Sequence, residues 1–299
     1  MRIYNNILET IGRTPLVRIN RIFQSDSVEI LAKLEGVNPT GSIKDRIALR
    51  MIEQAESEGT LTPDRTIIEA TSGNTGIGLD MIGAVKGYRV AIVMSAGVSV
   101  ERQKMIKAFG ADVILTDPSL GTDGAIREVR RLISEHPKSY FTPDQFTNRY
   151  NKLAHYALTA EEIIFDTGGR ITHFVSALGT SGTLMGVGKR LKEIDSNIRI
   201  VAAEPVRGHY IQGLKNMSEA IVPDIYDPAA IDETVMIESE EAFEMSRRIA
   251  REEGIFVGMS SGAALLAAVK TAEAIKRGTV VCIFPDRGEK YLSTDLFRV

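Results

Sequence analysis

The sequence has a single cysteine, no tryptophan and few aromatic side chains, which make up 6% of its 299 residues. One cysteine excludes an intramolecular disulfide, and no Cys/His cluster has the spacing of a zinc site, so we expect no metal. Basic residues are not in excess either, since 36 Lys and Arg stand against 39 Asp and Glu and give a formal net charge of −3. That balance argues against a nucleic-acid partner bound through phosphate neutralisation.

Long apolar runs are also absent. No run approaches the ~18 apolar residues of a membrane span, and the N-terminal stretch contains Asn, Glu and Arg where a signal peptide is apolar. We therefore expect a cytoplasmic protein with no membrane partner. The lone thiol, Cys282, lies in an apolar run and is expected to be a small core residue.

What is present is an ordinary globular composition, with 43% apolar and 25% charged residues. At roughly 150 residues per domain, this length predicts two lobes. Three segments repeat one pattern, in which a β-branched run, a loop of small polar residues and a helix follow one another. The predicted strands are 66–70, 89–94, 112–116, 172–177, 199–203, 255–259 and 279–284, and the loops are 71–76, 179–183 and 260–262.

Strands that alternate with helices predict an α/β fold of two doubly wound lobes with parallel sheets. We place the join near residues 143–150, with an N-terminal lobe at 1–145 and a C-terminal lobe at 146–299. About the first 40 residues are expected to pack on the other lobe. In such sheets, ligands bind where the carboxyl ends of strands meet helix N-termini, which is where the three loops are predicted to lie.

The loop GTSGT at 179–183 offers backbone amides and hydroxyls at the start of a helix, a pattern typical of a phosphate site. The alternative is a tight turn whose glycines serve geometry alone. The glycines of SGNTGIG are spaced GxxGxG rather than GxGxxG, and no GxxxxGK[ST] motif occurs. The phosphate is therefore not expected to belong to NAD or ATP.

Lys44 follows Ser42, which can cap a helix whose apolar face begins at Ile43. A lysine in the first turn faces the positive end of the helix dipole, which lowers its pKa and suits a reactive amine. The alternative is a surface lysine paired with Asp45 or Glu56.

Six motifs together carry a family resemblance. IGRTPLVRIN, KLEGVNPTGSIKDR, EATSGNTGIGL, GTSGTLMG, GIFVGMSSGAA and DRGEKYLST resemble the cysteine synthases, or O-acetylserine sulfhydrylases. These are pyridoxal-phosphate enzymes of the tryptophan-synthase-β fold type, and the branch most similar is that of cysteine synthase B and the O-phosphoserine-using enzymes. The resemblance runs from about Ile11 to Thr294 and implies pyridoxal 5'-phosphate in the cleft between the lobes and a homodimer.

The resemblance also implies roles for single residues. Lys44 matches the catalytic Schiff-base lysine, Asn74 the contact of the pyridoxal 3'-oxygen, and Ser260 the partner of the pyridine nitrogen. The phosphate loop maps to Gly179, Thr180, Ser181, Gly182 and Thr183. The substrate carboxylate would be bound by Thr71, Ser72, Gly73, Thr75 and Gln145.

The implied reaction is a β-replacement on O-acetyl-L-serine with sulfide, which gives L-cysteine. O-phospho-L-serine is the alternative substrate, and Lys215 occupies the position where a basic residue of the phosphoserine-using enzymes meets the substrate phosphate. Thiosulfate and a thiocarboxylated sulfur-carrier protein are alternative sulfur donors. Cystathionine β-synthase is the less favoured alternative, because we expect neither a regulatory domain, since the sequence stops at Val299, nor an N-terminal haem segment. A non-catalytic binding or sensor relative is the alternative of another class.

Overall fold

Short apolar, β-branched segments form the strands of two separate sheets, and helices pack their apolar side chains against these sheets. The structure is a computed structural model that describes residues 3–71 and 73–298. The strands are β1 (Leu16–Arg18), β2 (Val28–Leu34), β3 (Thr66–Ala70), β4 (Val90–Ser95), β5 (Asp112–Thr116), β6 (Tyr140–Phe141), β7 (His173–Ala177), β8 (Arg199–Pro205), β9 (Glu233–Ile237) and β10 (Gly278–Phe284). The α-helices are α1 (Lys44–Ser57), α2 (Asn74–Lys86), α3 (Val100–Ala108), α4 (Gly121–Glu135), α5 (Arg149–Ala154), α6 (Ala160–Thr167), α7 (Gly182–Ile194), α8 (Ser239–Arg248) and α9 (Met259–Ala274).

One sheet has six strands in the order β1-β2-β10-β7-β8-β9, and the other has four in the order β5-β4-β3-β6. All neighbouring strands are parallel except β1 and β2. Helices pack on both faces of each sheet, as parallel sheets require. The predicted α/β class with parallel sheets is confirmed, while the lobe boundary at 145/146 stays a prediction.

The cores explain several predicted features. Cys282 on β10 is fully buried among apolar side chains, and burial raises the pKa of its thiol, so it is an inert core residue as predicted. Gly87 adopts the left-handed conformation (φ 83°) that ends α2. None of the described helices combines the length and apolar character needed to cross a bilayer.

The predicted strand at 255–259 is wrong. Val257 makes only an isolated antiparallel bridge to Arg287, and α9 begins at Met259. A π-helical turn, Ile249–Glu253, extends α8 almost to this segment, and few residues are left for a strand before α9 begins. Ser260 and the two residues after it therefore lie inside the first turn of α9 rather than in a turn before it.

The end of β10 fixes the start of α1. The amide of Ile43 donates to the carbonyl of Pro285 at 2.8 Å, and Ser42 forms an isolated bridge with Asp286. The helix α1 packs against α2 and α5. These contacts hold Lys44 above the carboxyl end of the six-stranded sheet.

Candidate active site

A cleft opens where the carboxyl ends of β3, β7 and β10 meet the starts of α1, α2, α7 and α9. Its volume is about 870 Å³, including the part open to solvent. The predicted site residues that line it are Lys44, Thr71, Asn74, Thr75, Gln145, Gly179, Thr180, Thr183, Lys215 and Ser260. Gly73, Ser181 and Gly182 belong to the same loops but do not line the cleft, and Ser72 lies outside the described residues.

Lys44 is the first residue of α1, and its backbone amide donates to the hydroxyl of Ser42 at 3.2 Å. Burial lowers the pKa of Lys44 to about 8, and the negative charge of Asp286 opposes that change. The lowered pKa agrees with the prediction, although burial is its main cause.

The alternative partners of Lys44 are engaged elsewhere. The carboxylate of Asp45 accepts hydrogen bonds from the amide and the hydroxyl of Thr40. Glu56 pairs with Lys86 at 2.7 Å. The reading of Lys44 as an ordinary paired surface lysine is therefore wrong.

The loop 179–183 has the features of a phosphate cradle. Ser181 adopts a left-handed conformation (φ 65°), and its buried hydroxyl has no hydrogen-bond partner among the described residues. A Cβ at Gly179 would lie 2.6 Å from the carbonyl oxygen of Gly213, so only glycine fits. Because α7 begins at Gly182, its unpaired amides and positive dipole end face this loop. The donor set suits the phosphate of pyridoxal phosphate.

Asn74 is held by charged side chains on both sides of its amide. Its Oδ1 accepts from Nζ of Lys290 at 2.9 Å, and its Nδ2 donates to Oδ2 of Asp286 at 2.7 Å. Asp286 also accepts from Tyr291 at 2.7 Å and from Arg102 at 3.2 Å. The amide orientation is thus fixed, and one Nδ2 hydrogen remains for a group in the cleft.

The residues predicted to bind the substrate carboxylate form one connected group. Oγ1 of Thr75 donates to Oε1 of Gln145 at 2.6 Å, and Nε2 of Gln145 donates to the carbonyl of Ala70 at 3.1 Å. The hydroxyl of Thr71 accepts from the amide of Gly73 at 3.0 Å, which shapes the turn into α2. Gln145 is joined to the carboxylate loop although 70 residues separate it from Thr75.

Glu69, on β3 beneath this group, fixes the loop that carries Gln145. Its carboxyl oxygens accept from the backbone amides of Asp144 at 2.9 Å and Gln145 at 3.3 Å. Burial, together with the charge of Asp144, raises the pKa of Glu69 to about 8. The sequence reasoning missed this support, as well as Asp286 and Lys290, although DRGEKYLST was among the matching motifs.

Lys215 lines the cleft, but its charge is already matched. Nζ of Lys215 lies 3.2 Å from Asp123 on α4 and 3.3 Å from the carbonyl of Ile221. It also lies 5.0 Å from the centre of the Phe146 ring. With its side chain only 10% exposed, Lys215 is a bridging residue rather than a free cation at the cleft mouth.

Comparison with known proteins agrees with this geometry. Residues 7–286 match the model of the family described as "Pyridoxal-phosphate dependent enzyme". The chain is 48% identical to a cysteine synthase of Aquifex aeolicus, with 97% of this chain and 91% of that protein aligned. It is 44% identical to cysteine synthase B of Salmonella typhimurium, over 98% and 96% of the two chains.

A solved structure gives the same result. The crystal structure of the cysteine synthase of Entamoeba histolytica superposes with a TM-score of 0.93 at 46% identity. All of this chain and 92% of that chain are covered. The likeness therefore includes both sheets and the cleft between them.

Proposed function

Because the chain belongs to the family of pyridoxal-phosphate-dependent enzymes, among the cysteine synthases, we propose that it forms L-cysteine from O-acetyl-L-serine and sulfide by β-replacement. The observation that carries this proposal is a half-buried lysine of lowered pKa, Lys44, in one cleft with a phosphate cradle at 179–183. Pyridoxal phosphate, when bound, draws electrons from the α-carbon of the amino acid, so that the α-proton and the β-substituent can leave.

Four groups of this chain would hold the cofactor. Lys44 is the Schiff-base lysine, the loop 179–183 receives the phosphate, Asn74 faces the 3'-oxygen and Ser260 faces the pyridine nitrogen. Ser260 is buried in the first turn of α9 and lines the cleft, which supports its role. A neutral hydroxyl there does not force protonation of the ring nitrogen, which favours elimination of the β-substituent over transamination.

Lys44 would also move the α-proton. Because burial lowers its pKa to about 8, a useful fraction of Nζ is neutral near physiological pH and can accept a proton. Asp286 keeps the charged form accessible, so that Nζ can return the proton later. Both states of the amine are thus available in one pH range.

Thr71, Gly73, Thr75 and Gln145, with Ser72 of the same loop, would bind the substrate carboxylate. The N-terminus of α2 directs its positive dipole end at this place. Gln145 uses one Nε2 hydrogen for Ala70, which leaves the other for the substrate. The bond from Thr75 keeps that side chain in position.

The state of Lys215 favours an acetyl over a phosphate leaving group. Asp123 neutralises Lys215 at 3.2 Å, so the cleft wall beside Phe146 offers little net positive charge. We expect Lys215→Ala to lower kcat/KM for O-acetylserine by no more than a few fold. In Asp123→Asn the lysine is released, and O-phosphoserine should gain relative to O-acetylserine. Equal effects of both variants on both substrates would remove Lys215 from the substrate site.

The proposal extends to a homodimer in the cytoplasm that uses sulfide, with thiosulfate or a sulfur-carrier protein as the alternative donors. Exposed apolar side chains such as Ile3, Leu158 and Phe165 provide surface that a second copy could cover. Sedimentation equilibrium tests the dimer. Initial rates with sulfide and with thiosulfate at equal concentration distinguish those donors.

The central experiment replaces Lys44. We expect Lys44→Ala to lose turnover and the visible absorbance of the bound cofactor, because the covalent anchor is gone. Lys104→Ala, at an exposed lysine of α3, is the control and should keep both. A Lys44→Ala protein that retained substantial turnover would refute the proposal.

A further inference from the structure

Asn151 is a fully buried side chain between the two halves of the site. It lies on α5, which packs against α1 on one side and α7 on the other. Its Nδ2 donates to the backbone carbonyl of Gln145 at 2.7 Å and to Oγ1 of Thr180 at 3.1 Å. One amide group therefore touches both the substrate-carboxylate loop and the phosphate cradle.

The direction of these bonds has a chemical consequence at Thr180. An amide nitrogen only donates, so Oγ1 of Thr180 must accept from Asn151. The single hydroxyl proton of Thr180 then remains available to a group in the cleft, which Thr180 lines. A hydroxyl in this state donates to an anion instead of offering it a lone pair, and bonds to charged acceptors are the stronger ones.

The other end of the Asn151 side chain faces the start of α7. Its Oδ1 is buried and has no hydrogen-bond partner among the described residues. A Cβ at Gly182 would lie 1.9 Å from this oxygen and 2.6 Å from Cγ of Asn151, so the Asn151 side chain would have to leave its place. Gly182 is thus a glycine because Asn151 approaches the cradle closely.

We propose that Asn151 is a positioning residue that orients the Thr180 hydroxyl toward the cofactor phosphate and ties the phosphate cradle to the loop of Gln145. The proposal rests on the function proposed above, since it assumes that the cleft binds pyridoxal phosphate. Asn151 itself touches neither cofactor nor substrate. Its effect passes through Thr180 on one side and through the backbone of Gln145 on the other.

The test measures cofactor binding rather than turnover alone. Apoproteins of the wild type, Asn151→Ala, Asn151→Asp and Thr180→Val are titrated with pyridoxal phosphate, and the dissociation constant is taken from the absorbance of the bound form. We expect Asn151→Ala to weaken binding about tenfold or more, as for loss of a hydrogen bond to a charged group. Asn151→Asp has the same shape and should bind more weakly still, because a carboxylate cannot donate and lies close to the phosphate.

A double-mutant cycle separates positioning from general damage. If Asn151 acts through Thr180, adding Asn151→Ala to Thr180→Val should change the dissociation constant much less than it does in the wild type. The phosphorus NMR signal of the bound cofactor should shift in Asn151→Ala and in Thr180→Val alike. The KM for O-acetylserine should rise in Asn151→Ala and stay near the wild-type value in Thr180→Val, because only Asn151 holds Gln145.

The matched control is Asn148→Ala. Asn148 lies in the same segment, accepts from the amide of Tyr150 at 2.9 Å and donates to the carbonyl of Pro143 at 2.8 Å, and among the described residues none of its hydrogen bonds reaches the cradle. It should lower the stability of the apoprotein without the loss of cofactor affinity. Equal losses for Asn148→Ala and Asn151→Asp, or additive effects in the cycle, would overturn the inference. A wild-type protein that binds no pyridoxal phosphate would instead refute the proposed function.

Discussion

Lys44 acquires its reactivity from the surrounding side chains. Burial removes water from the ammonium group and lowers the pKa to about 8, while Asp286 restores part of the preference for the charged form. Asp286 is itself shared with Asn74, Arg102 and Tyr291. The protonation of the lysine and the orientation of Asn74 are therefore coupled through one carboxylate.

This coupling predicts a pH dependence. Only the neutral amine attacks the cofactor aldehyde, so the rate of covalent cofactor uptake by the apoprotein should rise with pH and level off above a midpoint near 8. Asp286→Asn removes the charge that favours the ammonium form, and the midpoint should move to lower pH. Stopped-flow absorbance at a series of pH values measures this, with Asp26→Asn at an exposed site as the control. An unchanged or higher midpoint in Asp286→Asn would contradict the assignment.

Asp80 on α2 is a buried acid that does not line the cleft. It is 2% exposed, and neither carboxyl oxygen has a hydrogen-bond partner within residues 3–71 and 73–298. Burial raises its pKa from 3.8 to about 8. The folded protein therefore keeps a proton that the unfolded chain releases between about pH 4 and pH 8.

Linkage gives the sign of the resulting effect. The folded state binds more protons in that window, so the contribution of Asp80 to stability falls as the pH rises through it, by about 1.4 kcal/mol per unit at most. Asp80→Asn has the same shape and does not titrate. We expect its stability relative to that of the wild type to increase steadily from pH 5 to pH 8, as measured by urea unfolding. The same gain at both pH values would show that titration of Asp80 is not the cause.

At the scale of elements, α1 is anchored by a buried ionic network. The guanidinium of Arg46 contacts Glu35 at 2.7 and 2.9 Å and Glu162 on α6 at 2.6 and 2.7 Å. Thr14 and Lys33 complete it, with Lys33 lying 3.0 Å from Glu162. The network joins α1 to the six-stranded sheet two residues after Lys44, which holds the lysine in register with the cleft.

We expect Arg46→Met to lose about 3–5 kcal/mol of unfolding free energy, because Glu35 is left buried without its cation. The matched control is Arg131→Met on α4, where the same residue type pairs with Glu128 and Glu135 at a half-exposed site. These exposed pairs should contribute little to the free energy of unfolding, because water and salt screen them. Urea unfolding of both variants decides the comparison. Similar small losses would mean that the Arg46 network does not anchor α1.

The acid side of the stability curve reports the same network. Burial alone would raise the pKa of Glu162, but the hydrogen bonds and charge of Arg46 outweigh it and lower the pKa to about 2. The ordinary pKa of Glu162 is 4.5, so its contribution to stability is present above about that pH. This contribution is lost as the pH falls toward 2. In Arg46→Met this loss should shrink, which unfolding midpoints between pH 5 and pH 3 measure.

A helix or strand can be predicted from the sequence when neighbouring residues alone determine it. The strands β3 and β5 follow from neighbouring residues, and the sequence predicts both with the observed bounds. The segment 255–259 has a strand-like composition, yet a π-helical turn and the start of α9 leave only the single bridge of Val257. Short apolar runs of this kind cannot be assigned from the pattern alone.

At the scale of the whole molecule, contacts between distant segments explain why the sequence does not reveal the residues that support the site. The sequence motifs identify loops that follow strands. Glu69 and Asp286 lie in two of these motifs, but their pattern does not show that Glu69 contacts Gln145 or that Asp286 contacts Asn74. Asn151 reaches the site from α5, outside the motifs. Asn151 belongs to QFTNRYN, which has no spacing that indicates a ligand contact. Sequence pattern thus identifies the groups that face the cleft, while the supports behind them need the packing of two sheets.

That packing gives the cofactor a role in stability. Asn74 follows β3 of the four-stranded sheet, whereas Thr180 follows β7 of the six-stranded sheet, and both line one cleft. A ligand held by both binds only the folded state, and at a hundredfold excess over its dissociation constant it should add about 2.7 kcal/mol. We therefore expect pyridoxal phosphate to raise the melting temperature of the apoprotein by several degrees in a thermal-shift assay.

Two controls test whether this gain depends on the phosphate cradle. Pyridoxal, which has no phosphate, should give little stabilisation although it still reaches Lys44. Gly182→Ala should remove most of the gain, because its Cβ would lie 1.9 Å from Oδ1 of Asn151 and force the cradle apart. Equal shifts with pyridoxal and pyridoxal phosphate would mean that the loop 179–183 does not hold the cofactor, since the two ligands differ only in the group that the loop is expected to bind.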